Sequence, residues 1–97
     1  MEPGIKMIRE RIGVTELLAG LAEEATELAQ AALKLRRAYD KTNPTPMSEE
    51  ECLDRLVEEY ADVLLYIDVL YLTNSPVDDI KKEKIARWIK RLWLSGG

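Results

Sequence analysis

The chain has 97 residues, 46% of them hydrophobic and 33% charged, with five Gly, four Pro and a formal net charge of −4. That composition describes one small all-α domain over residues 1–97, whose own core is modest because so short a domain buries only about 60 to 65% of its unfolded surface. The negative balance argues against nucleic acid, whose backbone needs clustered Lys and Arg on one face.

Residues 5–12, IKMIRERI, read as a short helix that stops at Gly13, a residue suited to the left-handed turn that ends helices. Thr15 can cap a second helix running to about Tyr39. Its apolar residues Leu17, Leu21, Leu28, Ala32 and Leu35, with Leu18 and Ala25 beside them, fall on one stripe. Asp40 to Ser48, DKTNPTPMS, is the clearest loop, because Pro and the residue before it resist helix. Ser48 with Glu51 three positions on is a capping box that starts a third helix continuing to about Thr73. Asn74, Ser75 and Pro76 mark the next break, and a fourth helix spans about Val77 to Leu94. An antiparallel bundle of about four helices is therefore expected.

The third helix is apolar nearly all round. Leu56, Tyr60, Val63, Ile67 and Leu70 make one face, and Ala61, Leu65, Val69 and Leu72 make a second. One small bundle cannot cover both, so a symmetric oligomer, a homodimer or homotetramer, is the expected enclosure, with cover by helices one and four as the alternative. The apolar run inside Val63 to Leu72 is broken by Asp68 and reaches about half the roughly 20 residues a bilayer crossing needs. No membrane partner is expected. A single cysteine, Cys52, and an amino terminus without signal-peptide character make the cytoplasm the expected compartment.

The chain contains no His. Ser-His-Asp and Cys-His catalysis, histidine-bearing zinc sites and Glu-x-x-His di-iron bundles all need that imidazole, and one cysteine is too few for thiolate clusters. Oxygen-ligand chemistry remains. Glu24 and Glu27 stand three apart on helix two, and Glu59 and Asp62 stand three apart on helix three. Both pairs lie roughly 15 to 20 residues from the loop's midpoint near Pro44, so antiparallel packing brings them level. Four converging carboxylates repel one another unless a cation such as Mg²⁺ holds them ionised. A solvated acidic face would instead interleave basic residues, and none occurs from Glu16 to Ala32.

With LAEEATELAQA on one helix and EEYADVLLYIDVL on the next, the chain resembles the MazG-like all-α nucleoside triphosphate pyrophosphohydrolases over about Leu17 to Leu72. Their pattern is Glu-x-x-Glu, a spacer, then Glu-x-x-Asp. The resemblance implies a helical bundle, usually dimeric or a dimer of dimers, that hydrolyses a nucleoside triphosphate to monophosphate and pyrophosphate. It implies Glu24, Glu27, Glu59 and Asp62 as ligands of Mg²⁺, with Mn²⁺ as the alternative ion. Either Glu27 or Glu24 would orient or deprotonate the attacking water. On helix four, Lys84, Arg87 and Arg91 recur three and four apart, a geometry suited to holding phosphates, although the family's usual Asn is not evident there. The competing expectations are a non-catalytic helical interaction module and a degenerate homologue that binds nucleotide without cleaving it.

Overall fold

A computed structural model describes residues 2–42, 47–73 and 75–94, apart from the side chain of Ser75. Four helices and no strand occur among the described residues: α1 (Pro3–Ile12), α2 (Val14–Asp40), α3 (Glu49–Val69) and α4 (Ser75–Leu94). The centre of the expected loop, residues 43–46, and the expected break at Asn74 lie outside the described residues. No described helix is long and apolar enough to cross a membrane.

The helix ends follow local chemistry, with four departures from the sequence reading, the first being that α1 starts at Pro3, two residues before the expected residue 5. Pro3 opens α1, and the Glu2 carboxylate accepts from the Gly4 amide at 2.6 Å. Gly13, at φ 90°, joins α1 to α2, and α2 begins at Val14 with no side-chain cap, so Thr15 lies inside its first turn. At α3 the capping box forms as expected, Ser48 Oγ accepting from the Glu51 amide and Glu51 accepting from the Ser48 amide.

The third helix ends earlier than expected, at Val69. Its close is a Schellman motif in which the Leu72 amide donates to the Ile67 carbonyl and the Tyr71 amide donates to the Asp68 carbonyl. Tyr71 occupies the left-handed position usually given to Gly, at φ 57°. Arg9 of α1 holds this end, its guanidinium donating to the Val69 carbonyl at 3.1 Å and lying 3.8 Å over the Tyr71 ring. The fourth helix begins two residues before the expected Val77, taking Ser75 and Pro76 into its first turn.

Helices α2 and α3 pack antiparallel along a seam with alternating steps of four and three residues. On α2 it runs Leu17, Leu21, Glu24, Leu28, Ala31, Leu35, Ala38, and on α3 Cys52, Leu56, Glu59, Val63, Tyr66, Leu70; each of these residues is buried or half-buried. Ala31 and Ala38 thus replace the expected Ala32, which is exposed, as are Leu18 and Ala25. On α3 the buried face is rotated toward Glu59 and away from Tyr60, which is exposed. Two apolar clusters anchor the ends. Leu17, Val69 and Leu70 gather Ile5, Ile8, Leu21 and Tyr66 at one, and Leu35, Ala38 and Cys52 gather Met47 and Leu56 at the other.

The fourth helix packs on none of the other three. All its described side chains are exposed, including Trp88 at 65% and Trp93 at 80%. The radius of gyration, 17.3 Å, accordingly exceeds the roughly 13 Å of a compact chain this long. On α3, Leu53, Val57, Tyr60 and Leu64 form a further exposed apolar stripe about 100° round the helix from the seam.

Gly20 sits mid-helix where Ala would raise helix propensity by about 1 kcal/mol, yet a Cβ there would overlap the Tyr66 ring. The Gly20→Ala variant should therefore lose about 1 to 3 kcal/mol of stability in urea unfolding. Combining it with Tyr66→Leu should cost less than the two single changes added together.

Candidate functional site

Between the two apolar clusters the seam turns acidic. The register that sets Leu17 with Val69 and Leu35 with Cys52 also faces Gly20 with the Tyr66 ring. The same register brings the charge of Asp62 to bear on Glu24 and that of Glu27 on Glu59. Glu24, Glu27 and Glu59 each present a carboxylate oxygen within 4.8 Å of the other two, a geometry in which three ligands could hold one cation. Asp62, half-buried, acts electrostatically on Glu24 and Glu59 but lies outside that tight group of three. The neighbours Glu23 and Glu58 are exposed.

Burial is what separates these acids from an ordinary solvated face. Glu59 is only 3% exposed, and Glu24 is half-buried. One carboxylate oxygen of each, Glu24 Oε2 and Glu59 Oε2, is shielded from solvent and has no hydrogen-bond partner. A buried unpartnered carboxylate oxygen is costly, because the water it has lost is not replaced. Divalent cations bound by oxygen ligands replace that hydration, so the donor set fits such an ion.

The site has one cation of its own. Arg55, one turn before Glu59, places a guanidinium nitrogen 3.0 Å from Glu59 Oε1 and another 3.9 Å from Glu58 Oε2. It satisfies one oxygen of Glu59 and leaves Oε2 orphaned. Beside it a cleft of about 100 Å³ is lined by Glu27, Gln30, Ala31, Lys34, Arg55 and Glu59. Sequence reasoning passed over Arg55 and Lys34. The i, i+4 spacing of Arg55 from Glu59 was the available signal for the first, whereas Lys34 stands just beyond the stretch free of basic residues. Lys84, Arg87 and Arg91 lie on α4, and the chain by itself does not pack that helix against the carboxylates.

Protonation equilibria record the same crowding. Desolvation raises the Glu24 carboxyl above its ordinary value near 4.5, and the charges of Glu27, Asp62 and Glu23 raise it further. Desolvation likewise raises Glu59, where Arg55 pulls the other way and Glu27 and Asp62 push up. A raised carboxyl means the folded chain holds protons that the unfolded chain has released. Its stabilising contribution is complete below about pH 4.5 and is lost as pH rises through the folded-state value.

Compared with protein-family models, curated proteins and solved structures, the chain gives no match. The case for a site therefore stands on its side chains, and its electrostatics can be tested without a substrate. In metal-free buffer at pH 7.5, Glu24→Gln should melt at a higher temperature than wild type, because it removes a desolvated charge. That advantage should shrink as the pH is lowered toward and below 4.5 and the wild-type carboxyl takes up its proton. A difference in melting temperature independent of pH would show that Glu24 is not destabilised by its charge.

Proposed function

We propose that the chain is a divalent-cation-dependent nucleoside triphosphate pyrophosphohydrolase of the MazG-like kind, working as a homodimer or homotetramer. The observation that carries this reading is the pair of solvent-shielded, unpartnered oxygens of Glu24 and Glu59, within a group of three carboxylates drawn from two helices. Glu24, Glu27 and Glu59 would hold Mg²⁺ or Mn²⁺, with Asp62 at the edge of the group completing the set. When bound, the ion would supply positive charge that lets an acidic site hold a triphosphate and that offsets the charge developing on the departing pyrophosphate.

The protein's own groups divide the remaining work. Glu27, exposed and lining the cleft, is better placed than half-buried Glu24 to orient a water and take its proton. That water adds across the anhydride between the α and β phosphates, its oxygen bonding to phosphorus while the bridging oxygen leaves, so that monophosphate and pyrophosphate separate. Glu24 and Glu59, fixed at seam positions between the two apolar clusters, keep the ligand set rigid. The basic side of α4, with Lys84, Arg87 and Arg91, would reach a triphosphate from a second chain.

A second reading, a non-catalytic interaction module, draws on the exposed apolar residues of α3 and α4. Two measurements separate it from the first. Pyrophosphate release from a panel of NTPs and dNTPs should require Mg²⁺ and should fall by roughly a hundredfold or more in Glu59→Ala, the scale of losing one preorganised electrostatic group. No turnover of any nucleotide, or turnover indifferent to that change, favours the interaction module, and metal-dependent nucleotide binding without product marks a degenerate homologue. In sedimentation, wild type should run as a dimer or tetramer, and Leu64→Glu combined with Trp88→Glu should shift it toward monomer.

A further inference from the structure

The cleft beside the carboxylates has walls of opposite charge. Glu27 and Glu59 form the acidic side, and Lys34 of α2 and Arg55 of α3 form the basic side. At about 100 Å³ the space suits one phosphate group and falls well short of the roughly 300 Å³ at which sites for whole small molecules begin. Arg55 is half-exposed, with 54% of its side chain open to solvent, so its head can move although its partner Glu59 is buried.

Two demands meet on the Glu59 carboxylate. Without a metal, Arg55 neutralises it at 3.0 Å. A divalent cation on the same carboxylate would repel the guanidinium and compete for its oxygens. A guanidinium freed at the mouth of a cleft that Lys34 also lines is suited to a phosphate, which it can engage through two parallel hydrogen bonds while Lys34 adds a point charge.

We propose that Arg55 and Lys34 form a subsite for one phosphate group, and that Arg55 stands in as the counter-ion of Glu59 until a divalent cation displaces it toward that phosphate. This inference rests on the carboxylates being a metal centre. It makes metal and anion binding cooperative: the ion releases the arginine that the anion needs.

The test uses the whole chain and no turnover. Mn²⁺ uptake is followed by electron paramagnetic resonance, and binding of inorganic pyrophosphate to the Mn²⁺-loaded protein by calorimetry. Arg55→Gln should bind Mn²⁺ about three- to tenfold more tightly than wild type, the range expected for removing a half-exposed competing charge. It should bind pyrophosphate about tenfold more weakly. Arg55→Lys should recover part of the anion affinity, and Lys34→Gln should weaken pyrophosphate alone while leaving Mn²⁺ affinity within about twofold. Helicity and melting temperature are measured on each variant, so that an unfolded one is recognised and Arg55→Lys carries the comparison. Unchanged or weaker Mn²⁺ binding in a folded Arg55→Gln overturns the displacement, and unchanged pyrophosphate binding overturns the subsite. A wild type that takes up no Mn²⁺ sinks the metal reading itself, a separate outcome.

Discussion

The structure turns on two carboxylates placed where a coiled-coil seam requires apolar side chains. Along α2 and α3 the four-three spacing is filled by Leu, Ala, Val, Cys and Tyr except at Glu24 and Glu59. A polar residue in such a seam can fix register at a cost in stability, but a neutral amide achieves that more cheaply than an acid. Charge in the interior is tolerated when protonated, paired or ligated. Arg55 pairs with a single oxygen of Glu59, and Glu59 Oε2 and Glu24 Oε2 stay without a partner. The apolar clusters at either end hold the acids in place despite their mutual repulsion, so core and site depend on each other.

That dependence clarifies the smaller features. Gly20 lies one turn from Glu24 on the same side of α2 and lets the Tyr66 ring approach α2 closely. Arg9 closes α3 by bonding the Val69 carbonyl and covering Tyr71, whose left-handed backbone is otherwise unfavourable for a bulky residue. Together with Ile5 and Ile8 in the first cluster, this ties α1 to the end of the seam. The shortest packed helix thereby fixes the ends of the two helices that carry the acids.

Much of this was legible in the sequence, and the misses share a cause. Ser48 with Glu51 announced the start of α3 because a capping box is a local interaction. The end of α3 was misread because its left-handed cap is Tyr71 and not Gly, a choice supported by Arg9 from sixty-odd positions away. The spacing of Glu24, Glu27, Glu59 and Asp62 was visible, as was their common distance from the proline loop. Their depth was not. The 3.6-residue stripes of Leu17, Leu21, Leu28, Ala32 and Leu35 and of Leu56, Tyr60, Val63, Ile67 and Leu70 leave Glu24 and Glu59 out, whereas the seam follows the 3.5-residue period that supercoiling allows. On that period both move into the packed face, Ala31 replaces Ala32, and Tyr60 turns outward.

The fourth helix makes the strongest structural case for association. A twenty-residue helix that packs on none of the other three described helices is marginal in water, since most helical stability in proteins comes from packing an apolar face. Here Ile85, Trp88, Ile89, Leu92 and Trp93 are exposed together, beyond the scatter normal for a monomer's surface. The same helix carries Lys81, Lys82, Lys84, Arg87, Lys90 and Arg91, while α2 has no basic residue from Glu16 to Ala32. The basic and apolar faces of α4 would complement the acidic and apolar faces of α2 and α3 in a second copy of the chain. If one copy's α4 lies along another's α2 and α3, the exposed stripe of Leu53, Val57, Tyr60 and Leu64 gains cover. Lys84, Arg87 and Arg91 then come to the acidic centre without any change in the fold of either chain. Association would in that way complete both the core that 97 residues cannot fill and the charge balance that Arg55 only begins.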